Sequence, residues 1–162
     1  MHSLIHVELV RTAAREAARR RRAGRARGPD RPDLHGSYPL GAVEVVSLEQ
    51  IEPFVTKDGS SIRELAGRVS LPAEHQSLAE ATVPVGGETE EHYHRNTEEL
   101  YLFTAGMGRM RLGDEEREVR AGDCVVIPPQ KSHKLWNSGE TPLVLLCCCA
   151  PPYSHDDTVL TG

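Results

Sequence analysis

From about residue 42 onward the chain is written in short apolar runs. Each is cut off by glycine, proline or acidic residues before a helix could form. VEVVSL (Val43–Leu48), SLAEATVPV (Ser77–Val85), EELYLFTA (Glu98–Ala105), GRMRLG (Gly108–Gly113), EREVRA (Glu116–Ala121), DCVVIPP (Asp123–Pro129), HKLWN (His133–Asn137) and PLVLLCCC (Pro142–Cys149) all read as strands. TKDGSSIREL (Thr56–Leu65) adds an Asp-Gly turn followed by another short run. Many short strands at near-regular spacing predict an all-β sandwich or barrel. The 162 residues suffice for one domain with a real core and are too few for two comfortable ones. Aromatic residues make up only 4% of the chain, so that core has to be built mostly from Val, Leu and Ile.

Charge divides the chain unevenly. Residues 1–31 hold nine arginines against Glu8, Glu16 and Asp30, a formal balance of +6; the remainder holds ten basic and twenty-one acidic residues, a balance of −11. Residues 1–36 are therefore read as an Arg-rich N-terminal extension, flexible or partly helical. TAAREAARRRRAGRAR carries no apolar stripe, and Pro29 and Pro32 break any helix soon after. No DNA-reading motif accompanies the arm, so nucleic acid is not the expected partner. No apolar run approaches the roughly 18 residues that a membrane helix needs. Three of the four cysteines (Cys124, Cys147, Cys148, Cys149) are consecutive, a poor layout for a disulfide framework, and no apolar signal segment follows the basic N-terminus. A cytoplasmic protein is the simplest expectation.

The stretch HYHRNTEELYLFTAG (His92–Gly106) carries the chemistry. On a strand, side chains two apart share a face, so His92 and His94 point the same way. RNT can turn. Glu99, Tyr101 and Phe103 then share one face of the next strand, with Leu100 and Leu102 on the other. Two imidazoles and a carboxylate could thus meet between two adjacent strands, a donor set suited to Fe, Mn, Ni, Cu or Zn. In GDCVVIPPQKSHKLWN a buried strand ends at Pro128 and His133 opens the next one; placed beside the first two, it adds a fourth ligand.

With these residues in view, the sequence resembles the cupin superfamily. Five residues separate Gly86 from His92, four separate His94 from Glu99, and six separate Glu99 from Gly106, as in the first cupin motif. The second motif is met by Gly122, Pro128, His133 and Asn137, with Gln130 standing where the family usually has glycine. The six-residue gap selects Glu99, not Glu98, as the ligand. The resemblance covers about residues 40–155 and implies a double-stranded β-helix, or jelly-roll β-barrel, with 156–162 as a C-terminal tail over it. It implies a divalent metal ion held by His92, His94, Glu99 and His133. It also implies a homodimer, with a strand such as Val43–Leu48 exchanged between protomers.

Four protein ligands leave open positions on a six-coordinate ion. Such a centre suits a non-haem Fe(II) dioxygenase acting on a small molecule. This is the leading expectation, with Fe(II) the favoured ion; the alternative is a redox-neutral isomerase, lyase or cyclase using Zn, Mn or Ni as a Lewis acid, and a non-catalytic ligand-binding sensor is the third reading. Fold does not choose among them. Tyr101 shares the ligand face and is the candidate to hydrogen-bond a substrate. Arg109 and Arg111 share a face of their strand; the expectation is that Met110 and Leu112 fill the barrel and the arginines are solvated. Arg63 and Glu64 carry two readings of equal weight, structural residues or residues at the pocket mouth. The cysteines, Cys124 included, are expected to pack as small hydrophobes. Trp136 faces away from His133 and is expected between sheets or in a dimer contact, and His155 on the surface.

Overall fold

The computed structural model describes residues 43–162. The Arg-rich extension over residues 1–36 lies outside them. The strands are β1 (Phe54–Val55), β2 (Ser61–Gly67), β3 (Leu71–Pro72), β4 (Ser77–Val83), β5 (His92–His94), β6 (Glu98–Ala105), β7 (Met107–Leu112), β8 (Glu115–Arg120), β9 (Cys124–Ile127), β10 (His133–Trp136), β11 (Leu143–Ala150) and β12 (Thr158–Leu160). They form two sheets. The larger runs β1-β2-β4-β11-β6-β9, with β3 beside β2, and the smaller runs β12-β5-β10-β7-β8. From β4 onward almost every connection carries the chain from one sheet to the other, which makes the fold a double-stranded β-helix, an all-β jelly-roll barrel. None of the described helices is long and apolar enough to cross a membrane.

Strand alternation sorts the side chains. Along β6, Glu99, Tyr101 and Phe103 are buried while Glu98, Leu100, Leu102 and Thr104 face out. Along β10, His133 and Leu135 are buried. Phe103, Ile127, Leu135, Leu143 and Leu145 are almost wholly enclosed. The aliphatic core expected from the low aromatic content is present, with Phe103 and Tyr101 as its buried aromatic residues. Met110 is buried and Leu112 packs against the core, while Arg109 is exposed, as the alternation of β7 predicts.

Several expectations need correction. Val43–Leu48 is not a strand: residues 43–47 have no regular structure, and Leu48–Gln50 form a 3-10 helix. Val43 and Val45 are 90% and 82% exposed, because among the described residues no sheet edge pairs with them. The tail expected over 156–162 is in part the edge strand β12, whose Thr158, Val159 and Leu160 pair with His94, Tyr93 and His92. Strands β5 and β6 are not neighbours in one sheet; they belong to opposite sheets. Cys124 is exposed, since the period of β9 turns Ile127 inward and Cys124 outward. Trp136 lies on the outer face of the smaller sheet. Arg109, Arg111 and Lys134 are stacked over its ring at 4.7, 5.4 and 5.3 Å, cation–π contacts on the outside of the barrel.

Two turns show why special residues stand where they do. Gly106 carries the chain from β6 to β7 at φ +78°, and a Cβ there would collide with the Pro142 carbonyl. Gln130 has φ +66°, the one non-glycine residue with positive φ among those described. Its amide donates to the His94 carbonyl at 2.6 Å, tying the turn before His133 to the strand that carries the other two histidines. Its side chain is exposed. The turn therefore demands left-handed backbone, which costs a residue with a Cβ about 1 kcal/mol. Gln130→Gly should relieve that strain against the extra chain entropy of glycine, for a net stabilisation of about 0.5 kcal/mol. Urea denaturation at fixed pH checks this; a destabilised variant would mean that the strain is absent.

Candidate metal centre

Three imidazoles come from the smaller sheet. His133 on β10 is in register with His92 on β5, and His94 follows two residues on along β5. The carboxylate comes from the larger sheet, where Glu99 on β6 pairs with Ile127 on one side and Cys149 on the other. The four groups meet across the barrel interior. Every one is buried, and one donor atom from each lies within 4.8 Å of the others. Glu99 Oε2 stands 3.1 Å from His94 Nε2 and 3.5 Å from His133 Nε2.

The imidazoles are oriented from behind. His92 Nδ1 donates to the Glu90 carbonyl at 2.9 Å, and His133 Nδ1 donates to the Lys131 carbonyl at 3.2 Å. His94 Nδ1 donates to the Thr158 hydroxyl at 3.2 Å, and that hydroxyl donates onward to the Ser154 carbonyl at 3.0 Å. With Nδ1 carrying the proton in each ring, the Nε2 lone pairs face the cavity, the tautomer a metal ligand requires. Glu99 is held likewise: the Cys149 thiol donates to Oε1 at 3.2 Å, which leaves Oε2 on the histidine side.

Electrostatics agree with this arrangement. Burial alone would raise the Glu99 carboxyl, but the two imidazoles it faces, His133 first and then His94, outweigh it and hold the group well below the usual carboxylate range. Burial, then the neighbouring His133, lowers His92, which favours its neutral, ligating form. Burial and then the Glu99 charge raise Tyr101 and Cys149, keeping phenol and thiol protonated.

The donor set fits a divalent cation: three neutral nitrogens and one carboxylate oxygen, converging from both sheets. His133 Nε2 is buried without any hydrogen-bond partner, an atom left lacking what a bound ion would supply. The residues singled out in the sequence are thus brought together, and Tyr101 lines the same cavity with its ring 5.8 Å from that of His133. Glu98 is exposed, as the spacing required. Arg63 is not in the site; it pairs with Glu80 at 2.5 Å. Arg111 pairs with Glu91 and Arg109 with Glu116. His155 is exposed.

Glu64, named in the sequence for either the pocket mouth or a structural role, lines the cavity. Other residues of the site escaped the sequence reading: Asp58 and Tyr153 line the cavity, and Thr158 and Cys149 orient ligands. Cys149 could have been found, because the alternation of β11 puts Cys147 and Cys149 on one face. Asp58 sits in an Asp-Gly turn, where aspartate is ordinarily solvated, and Thr158 stands in a segment with no pattern.

Comparison with known proteins agrees with the fold. Residues 79–149 match the cupin domain. An uncharacterized protein of Methanocaldococcus jannaschii is 50% identical over 110 residues, covering 68% of this chain and 88% of that protein. A glucose-6-phosphate isomerase of Pyrococcus horikoshii is 32% identical over 75 residues, 42% of this chain and 40% of the isomerase. Among solved structures, a predicted oxalate decarboxylase of Thermotoga maritima superposes with a TM-score of 0.59 at 22% identity, covering 67% of this chain and 99% of that one.

If the four residues are ligands, His94→Ala and Glu99→Ala should each strip most of the metal from protein purified without a histidine tag, with the β-sheet circular dichroism retained. Thr158→Val, which removes only the acceptor behind His94, should weaken retention by about ten- to a hundredfold. Elemental analysis after dialysis reads all three variants, and full occupancy in both ligand variants would refute the assignment. The motifs, the fold and the matches place the chain in the cupin superfamily.

Proposed function

We propose that the chain is a metal-dependent enzyme acting on a small molecule, with His92, His94, Glu99 and His133 as the ligands of a divalent ion. The observation that carries this reading is the convergence of four buried donors from both sheets, with His92, His94 and Glu99 lining a cavity. The cavity is narrow, about 40 Å3, which suits only a small substrate. Its size follows from sequence: β4 presents Ser77, Ala79 and Ala81 where larger side chains would fill the space.

A divalent ion bound there would supply an electrophilic centre with open positions for a chelating substrate and, if iron, for dioxygen. The protein's own groups bind and orient. Cys149 restrains Glu99 through one oxygen. Tyr101, kept protonated by burial and the Glu99 charge, is a hydrogen-bond donor beside the ligands. Of the two chemistries open to the donor set, Fe(II) dioxygenation and redox-neutral isomerisation or elimination, the cavity favours the second. Asp58 lines it in addition to Glu99, a provision for proton handling and hydroxyl binding that oxygen activation does not call for; Glu64 lines it too, with its Oε1 taken by the Val69 and Ser70 amides. The similarity to an isomerase points the same way. The free thiols suit a reducing compartment, which supports a cytoplasmic setting.

Metal analysis with oxygen-electrode screening decides between the chemistries. Zinc, manganese or nickel, with no oxygen uptake on small hydroxylated acids and sugars, is the expected result. Stoichiometric iron with substrate-dependent oxygen uptake would replace it with the dioxygenase reading. A metal-free protein would leave a ligand-binding module.

We also propose a homodimer through the outer face of the larger sheet. Leu100, Leu102 and Val126 are 37%, 41% and 52% exposed on adjacent strands, with Leu146 and Cys148 alongside in register. A contiguous apolar sheet face of this kind suits a self-complementary contact. Leu100→Lys combined with Leu102→Lys should shift the light-scattering mass from dimer to monomer; a monomeric unsubstituted protein would end the proposal.

A further inference from the structure

The tip of the β1–β2 hairpin, Thr56–Ser60, is built unlike a solvent-facing turn. Gly59 at φ +82° closes it, with the Thr56 amide donating to the Ser60 carbonyl at 2.9 Å. An aspartate before glycine in such a turn ordinarily points to water. Here Asp58 is only 7% exposed and lines the same cavity as the histidines. Its Oδ1 lies 2.5 Å from the Thr56 hydroxyl, 2.9 Å from the Ser60 hydroxyl and 3.4 Å from the Ser60 amide. Every one of these contacts falls on Oδ1, so Oδ2 is left to the cavity.

The tip is fastened in place. The Asp58 carbonyl accepts the Glu90 amide at 2.7 Å, and Lys57 reaches outward to the Thr158 carbonyl at 2.7 Å. The turn's one cation is thereby drawn away from the cavity, and its anion is turned in. No lysine or arginine lines the cavity among the described residues. Tyr153 lines it as well, and burial raises its phenol, keeping it protonated. Asp58 Oδ2 has no hydrogen-bond partner among the described residues, which leaves it free to accept one from a ligand.

We infer that Asp58 is the substrate-orienting and specificity-determining residue of this site. Resting on the metal-enzyme reading above, the substrate class is a small chelating molecule whose far end carries a neutral hydroxyl donor rather than a second carboxylate. The chelating end neutralises the ion; the hydroxyl donates to Asp58 Oδ2. A second anion would meet Asp58 with no cation to compensate it.

Glycerate and tartronate form a matched probe pair. They share the α-hydroxycarboxylate end and differ in carrying CH2OH or a second carboxylate at the other. Dissociation constants are measured by calorimetry on the full chain loaded with Mn(II). Asp58→Asn should lower the preference for glycerate over tartronate by about tenfold or more, through weaker glycerate and stronger tartronate binding, with Mn(II) stoichiometry unchanged. Asp58→Ser, which also removes the charge, serves if the asparagine variant melts early. An unchanged preference at full Mn(II) loading overturns the role of Asp58 and leaves the metal site standing. Failure of the unsubstituted protein to take up Mn(II) overturns the metal reading, and the role of Asp58 with it.

Discussion

Glu99 reaches across the barrel to three imidazoles on the opposite sheet, and much of the interior is arranged around that meeting. Four polar groups buried together would be destabilising if left to themselves. The sheets offset this by giving each group a second attachment: a carbonyl behind His92 and His133, a hydroxyl behind His94, a thiol behind Glu99. These attachments come from main chain beside the ligands, from the last strand and from β11. The cluster therefore depends on the barrel being closed and cannot be detached as a local motif.

The strands grade from apolar to polar along their length. On β11 the inward residues run Leu143, Leu145, Cys147, Cys149; on β6, read the other way, they run Phe103, Tyr101, Glu99. Antiparallel pairing of these two strands aligns the gradients, so Leu145 lies opposite Phe103 and Cys149 opposite Glu99. One end of the barrel is consequently a packed hydrophobic plug, and the other holds chemistry. The plug supplies burial energy that the polar end does not.

Much of this was legible in the residues themselves. Strand periodicity placed Glu99, Tyr101 and Phe103 on one face and set Glu98 apart, because alternation is a local property of extended backbone. The motif spacing found all four residues that converge. What escaped depends on long-range geometry. That β5 and β6 lie in different sheets is a matter of topology, which a spacing of a few residues does not encode. Thr158 becomes an orienting group only because β12 docks beside β5, and Asp58 turns inward only because Glu90 and Thr158 hold its hairpin. Val43–Leu48 has a strand's composition but no edge to join among the described residues. The glycine position filled by Gln130 keeps the left-handed backbone of its turn, so the conformation outlasts the residue type that usually marks it.

The hairpin whose tip lines the cavity is fastened to the groups that aim two of the histidines. Glu90 gives its amide to Asp58 and its carbonyl to His92; Thr158 gives its carbonyl to Lys57 and its hydroxyl to His94. The placement of the hairpin tip and the aim of His92 and His94 therefore rest on the same two residues, so a change at Glu90 or Thr158 is felt at both.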